Sequence, residues 1–337
     1  MKETNSAVIG AGHLGKIHAK LLGTIEGVKP LVVETDEMAR AFVESELGIP
    51  TLESIDDLPA GLEGVIVVTP TATHYDIASE MVSRGCHLLV EKPVCADATS
   101  SAQLCEMAER QKRVLQVGHV ERFNPAFVAA KPFMSNVKLV ECTRFTPYTF
   151  RATDVSVIHD LMIHDIDLLL SIMQSDVISV SATGNSIIGP QLDSATAWIE
   201  FADGTKACLK SSRCSHVADR SMRVETSRGY VNVDFANQTV ETMTAIEGVR
   251  EPLNQLSRKE KEIAKKEMFE KWLPVENVLV SPQNAILEEQ KEFVHCINRS
   301  QQPTVTGRDG LAAVELAEKI VAAIESQQQV ILKKDAA

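Results

Sequence analysis

The sequence has no Cys-x-x-Cys pair, no apolar run of membrane length, no basic excess and no internal repeat. Each absence excludes something. Its 7 cysteines are scattered and odd in number, which argues against a disulfide framework and for reduced thiols in the cytosol. No apolar stretch reaches the ~20 residues that a membrane helix needs. The opening MKETNSAVIG has no apolar leader core and runs straight into a strand-like segment, so a cytoplasmic chain with no membrane partner is expected. Lys and Arg total 34 against 46 Asp and Glu, a net charge of -12. Such a surface repels phosphate backbones, and a nucleic-acid partner is not expected. The densest charge run, RKEKEIAKKE at 258–267, mixes both signs and reads as a solvated helix face.

What is present is an ordinary globular mix, 44% hydrophobic and 24% charged, over 337 residues, enough for two domains. Near the start, a β-type run (AVI) meets Gly10-Ala11-Gly12-His13-Leu14-Gly15 and then an amphipathic helix with Ile17, Ala19, Leu21 and Leu22. In this strand–turn–helix setting GxGxxG has a mechanical meaning. Gly10 permits the tight turn, Gly12 lets a pyrophosphate approach the backbone, and Gly15 lets helix and strand pack closely. A second strand, PLVV, ends in Glu34-Thr35-Asp36. A carboxylate about 20 positions after the glycines accepts hydrogen bonds from an adenosine ribose and repels the extra phosphate of NADP. NAD is therefore the expected cofactor, with Glu34 or Asp36 as the contact.

Alternation continues with strands at 64–70, 87–93 and 114–119 and helices near 74–84 and 98–111. Strands alternating with helices imply a parallel sheet. Ligands in such sheets sit beyond the carboxyl ends of the strands. That rule singles out Thr69-Pro70-Thr71, Glu91-Lys92-Pro93 and Gly118-His119. Pro93 disfavours helical geometry at Lys92, and a partly buried lysine there can share a proton with a substrate oxygen.

After residue 120 the pattern changes. GHVERFNPAF places Arg122, Phe123 and Asn124 near a domain junction. Residues 159–170 read HDLMIHDIDLLL, an apolar helix carrying Asp160, His164 and Asp167 at i, i+4 and i+7, hence on one face at ~100° per residue. His159 and Asp165 fall off that stripe and are assigned no role. The stripe fits a satisfied core network, a metal site or an acid/base pair in a cleft. Further on, β-type runs pile up without helices between them, with hairpin signals at Asp203-Gly204 and Arg228-Gly229. This predicts a large open, mostly antiparallel sheet, with one face free to pair with a second subunit. Two helices, about 283–299 and 308–326, close the chain. The expected architecture is α/β, a dinucleotide-binding (Rossmann) domain over 1–120, followed by an α+β domain over 121–330.

With GAGHLG, EKP and DLMIHDID in this order, the sequence resembles the Gfo/Idh/MocA family of NAD(P)-dependent sugar and cyclitol oxidoreductases. The likeness extends over nearly the whole chain. It implies a catalytic lysine at Lys92, with the family's His and Asp at His164 and Asp160. It also implies a nicotinamide-side loop at Thr69-Pro70 with His74. Cofactor contacts are then expected at Gly10, Gly12, His13, Leu14, Gly15, Glu34, Asp36, Thr69, Pro70, Thr71, His74, Glu91 and Lys92. HVERFNPAF, YTFRATDVSVIHDLMIHDIDLLL and SSR are closer to a subgroup that oxidises UDP-N-acetylglucosamine at C3 on the way to lipid A. Lys92, Arg122, Asn124, Tyr148, Arg151, His164 and Arg213 are expected to hold that substrate, since arginines suit a diphosphate. No metal is expected. A homodimer or homotetramer through the open sheet is. The alternatives are a dehydrogenase of a free sugar, inositol or related polyol, and a non-catalytic NAD-binding sensor or scaffold.

Overall fold

The structure is a computed structural model that describes residues 4–150, 155–246 and 256–335, with side chains through 327. Strands β1 (Thr4–Ile9), β2 (Val28–Val33), β3 (Thr51–Leu52), β4 (Gly64–Val67), β5 (His87–Glu91) and β6 (Leu115–Gly118) form a wholly parallel sheet ordered β3-β2-β1-β4-β5-β6. Helices α1 (His13–Leu22), α2 (Glu37–Phe42), α3 (His74–Ser83) and α4 (Ala98–Arg110) lie between the strands in sequence. The strand order reverses at β1 and β4, the switch point where such sheets bind ligands. Burial on both faces explains the near-continuous apolar strands. Val8 pairs with Val32 and Ile66, and Ile66 with Leu89, so these four share one face. All are fully buried against Ala19 and Leu22 of α1.

A second sheet follows α5 (Pro125–Ala130). Its strands are β7 (Val137–Phe145), then, after α6 (Ile163–Ile172), β8 (Val177–Asn185), β9 (Ser194–Phe201), β10 (Lys206–Ser212), β11 (Asp219–Thr226), β12 (Gly229–Asp234) and β13 (Thr239–Thr244). After α7 (Arg258–Glu267), β14 (Val275–Val278) completes it. The order is β14-β13-β12-β11-β7-β10-β9-β8, antiparallel throughout except for the parallel β7/β10 pair. Both expected hairpins form. Gly204 takes φ +85° between β9 and β10, and β11 pairs with β12 through Thr226 and Gly229. Helix α7 buries no residue, as its mixed charge implied.

The chain ends in α8 (Ala285–Arg299) and α9 (Gly307–Asp335). Two compact units result. One takes residues up to Phe123 with 166–171 and 284–319, and the other takes the intervening segments and the chain beyond 319. Residues 284–319, expected within the domain over 121–330, group with the first unit. Phe293, Val294 and Ile297 of α8 join the Val8–Leu22–Ile66–Leu89 core and cover a face of the parallel sheet. Among the described residues no helix is long and apolar enough to cross a membrane.

Candidate active site

The glycine turn is built for close approach. Gly10 sits at φ +99°, and a Cβ there would lie 2.7 Å from the Val68 carbonyl oxygen. At Gly15 a Cβ would lie 2.0 Å from the Gly10 carbonyl oxygen. At Gly12, by contrast, nothing lies within 4 Å of the Cβ position, so the turn opens onto free space. Helix α1 starts there with no side-chain cap and no acidic residue in its first turn. Its leading N–H groups are thus left for an anion, at the positive end of the helix dipole. His13 and Leu14 begin that helix, His13 exposed and Leu14 half-buried. These features fit a dinucleotide pyrophosphate.

Glu34 and Asp36 separate cleanly. The Ala11 N–H donates to Glu34 Oε2 at 2.6 Å, which anchors this carboxylate on the glycine turn. The Asp36 N–H donates to Glu34 Oε1 at 3.0 Å. Burial opposes ionisation of Glu34, but the N–H groups of Asp36 and Ala11 outweigh it and hold the carboxyl below the ordinary range. Asp36 instead caps α2, accepting the Ala39 N–H at 2.7 Å. Arg40 donates to the carbonyls of Glu34 and Thr35, both at 2.8 Å.

Two further turns carry the other cofactor-side residues. His74 is buried, and its ring reaches the Pro93 carbonyl at 2.9 Å and the Thr69 carbonyl at 2.8 Å. It ties the Thr69-Pro70-Thr71 turn to the Glu91-Lys92-Pro93 turn, whose Lys92–Pro93 bond is cis. Glu91 is buried under that turn. It accepts His18 Nε2–H at 2.9 Å and the Lys92 N–H at 3.2 Å. Lys92 itself is half-buried. His119, at the end of β6, is fully buried, and burial holds its imidazole below the usual range.

The polar stripe is remade. Ile158–Met162 form a π-helical turn before α6 begins at Ile163, so Asp160 and His164 are not consecutive turns of one regular helix. Both are half-buried. The other two aspartates are structural. Asp167 accepts Arg122 Nε and Nη2 at 2.7 and 2.8 Å. Asp165 accepts the Arg144 guanidinium at 2.8–3.1 Å. Of the readings open for this segment, a satisfied core network accounts for these two residues.

The expected substrate residues divide likewise. The Arg122 guanidinium is engaged by Asp167 inside the first unit. Asn124 caps α5, with Oδ1 accepting the Ala126 N–H at 3.0 Å. Arg213 is buried in the second unit, with Nε on Asp193 Oδ1 at 2.7 Å and Nη1 on the Val155 carbonyl at 3.0 Å. It also lies 5.7 Å from the Tyr148 ring, which stacks edge-on against Phe150. Arg151 falls outside the described residues. Sequence reasoning missed His18 and Glu289, which lie beside Glu91, and Gln290, which holds His18. The available signal was a histidine on the inward face of α1, between Gly15 and Leu22.

Comparison with known proteins agrees with this architecture. Residues 4–119 match the Gfo/Idh/MocA oxidoreductase family with its NAD-binding Rossmann fold, and residues 134–232 match that family's C-terminal domain. The chain is 34% identical over 277 residues to a UDP-N-acetylglucosamine 3-dehydrogenase of Acidithiobacillus ferrooxidans, covering 80% of this chain and 88% of that one. A solved structure of that enzyme superposes with a TM-score of 0.85 at 29% identity, over 97% of this chain and 99% of the other. An inositol 2-dehydrogenase of Rhizobium meliloti is 24% identical over 343 residues, covering 96% of this chain and 97% of its own. With its glycine turn, its Glu-Lys-Pro turn and its two sheets, the chain belongs to the Gfo/Idh/MocA family of NAD-binding oxidoreductases.

Proposed function

We propose that the protein oxidises the C3 hydroxyl of UDP-N-acetylglucosamine with NAD. The observation that carries this reading is the 34% identity to a UDP-N-acetylglucosamine 3-dehydrogenase over 80% of the chain. The engagement of Glu34 with the glycine turn supports NAD over NADP, since a carboxylate there repels a ribose phosphate. Oxidation of a secondary alcohol removes a hydride from carbon and a proton from oxygen, and NAD held at the glycine turn and Glu34 would supply the hydride acceptor. His164 takes the hydroxyl proton, and Asp160 orients the imidazole. Lys92 donates a hydrogen bond to the same oxygen and stabilises the developing alkoxide. Proton transfer of this kind supplies about 10²–10⁴-fold. The ketone so formed is set up for amination toward lipid A in the cytoplasm, and the active form is a homo-oligomer joined through the eight-stranded sheet.

The test mixes protein, NAD and UDP-N-acetylglucosamine, follows NADH absorbance and traps the ketone with hydroxylamine. K92M and H164A are expected to lose turnover while still binding NADH, and normal turnover in both would remove their assignment. Parallel arms carry myo-inositol and free sugars. Faster oxidation of a polyol than of the nucleotide sugar would replace the substrate proposed here with the polyol. A monomer by light scattering would remove the oligomer.

A further inference from the structure

Beneath the Glu-Lys-Pro turn lies a buried cluster that none of this chemistry uses. Oxygens of Glu91 and Glu289 and a ring nitrogen of His18 all lie within 4.8 Å of one another. The relative exposures are 8% for Glu91 and 0% for both Glu289 and His18. Two carboxylates this close and this buried do not both ionise. Their hydrogen bonds tell them apart.

Gln290 Nε2 lies 3.0 Å from the His18 carbonyl oxygen, which can only accept, so that Gln290 atom is the nitrogen. Its second N–H points at His18 Nδ1, at 2.9 Å. Nδ1 is therefore an acceptor, and the ring proton sits on Nε2, which donates to Glu91 Oε1 at 2.9 Å. Glu91 receives that N–H and the Lys92 backbone N–H, as an ionised carboxylate should. Neither oxygen of Glu289 has a hydrogen-bond partner among the described residues, and both are buried. A buried carboxylate with no donor is costly, while a carboxylic acid brings its own.

We propose that Glu289 is a positioning residue, a neutral carboxylic acid packed beside ionised Glu91 that keeps a second charge out from under the Glu91-Lys92-Pro93 turn and so holds that turn in place. The charged groups around it agree. Burial, with Glu91, Glu292 and Asp167 adding repulsion, drives the Glu289 carboxyl well above the ordinary range. Burial also opposes ionisation at Glu91, but the His18 N–H and the Lys92 ammonium pull it below that range. One net negative charge then stands under Lys92. Ionising Glu289 would add a second, and the pair would repel. A metal does not fit: both His18 nitrogens are already engaged, one accepting from Gln290 and one protonated toward Glu91.

The role of the turn in catalysis rests on the proposed function, but the protonation state does not, and the experiment separates them. Isotope-edited infrared spectra of the full-length protein at pH 7 are compared between wild type and E289Q. The expected difference is a protonated-carboxyl C=O band present only in wild type. Kinetics follow with E289A and E289Q. E289A is expected to lose kcat by roughly 10²-fold, the scale of a turn displaced by about 1 Å, with NADH affinity retained. E289Q, neutral and able to donate, is expected to recover most of that loss and to lack the alkaline fall in kcat that Glu289 ionisation causes in wild type. The proposal is overturned if no such band exists, if E289Q is as slow as E289A, or if the purified protein carries one metal ion per chain that E289Q loses. If UDP-N-acetylglucosamine is not oxidised at all, the substrate reading fails while the infrared band still decides this one.

Discussion

Replacing Asp167 by asparagine leaves the Arg122 guanidinium buried without its bidentate partner. The two side chains are 6% and 1% exposed. Removing one member of such a pair costs about 3–5 kcal/mol, because an uncompensated charge stays in the interior. Here Asp309, 37% exposed and 3.7 Å from Arg122 Nη2, keeps part of the attraction, which favours the lower end, about 3 kcal/mol. At roughly 2–4 °C per kcal/mol for domains of 150–250 residues, D167N should melt about 6–12 °C lower in calorimetry. The double variant R122M/D167L removes both charges and should recover most of that loss, since apolar residues of similar volume replace buried pairs at little or no cost. Well below the melting temperature, the KM of D167N for the proposed nucleotide-sugar substrate should stay near wild type. A D167N protein with normal melting and a KM raised tenfold would refute the reasoning and return Arg122 to the substrate.

Other outcomes follow from the two turns. A Cβ at Gly118 would sit 2.8 Å from Glu91 Cδ and 3.0 Å from Glu91 Cα, so G118A should cost about 1–3 kcal/mol of overpacking and depress kcat by displacing the turn. Thermal melting and steady-state assays of G118A check both effects. E34Q should weaken NAD binding by about tenfold or more, the scale of a charge-assisted hydrogen bond, as read by fluorescence titration. D36A should leave NAD affinity unchanged while losing about 0.5–2 kcal/mol of stability with its helix cap. The Glu34 carboxyl is depressed in the folded state, so its stabilising contribution is present above the unfolded value, about 4.3, and is lost as pH falls through the folded value. Melting temperatures of E34Q between pH 3 and 6 should therefore fall less steeply with acid than those of wild type.

The parallel sheet was readable because its strands are buried on both faces and its turn demands glycine at Gly10 and Gly15. Strand β3 was not, because two residues carry no period. Strand β7 hid for another reason. Its inward positions run Val140, Cys142 and Arg144, and an arginine does not read as core. That same arginine explains Asp165, assigned no role until the structure set it opposite a strand distant in sequence. In the helical segment 159–170, spacing alone could not show that Asp165 and Asp167 pair with arginines. The π-helical turn shifted the register that the spacing assumed. Glu289 was invisible for a related reason. Its protonation depends on Glu91, nearly two hundred positions earlier in the chain.

Helix α8 has a consequence for biosynthesis. Gln116 Nε2 donates to the Glu289 carbonyl at 3.0 Å, and the Val117 N–H to the Val305 carbonyl at 3.1 Å. The nucleotide unit is thus finished by residues that follow the whole eight-stranded sheet in the chain. A nascent chain paused after Phe123 would present the Val8–Ile66–Leu89 row bare of Phe293 and Ile297, a sticky surface that invites chaperones. For the same reason, a fragment cut at that point makes a poor stand-in for the cofactor module.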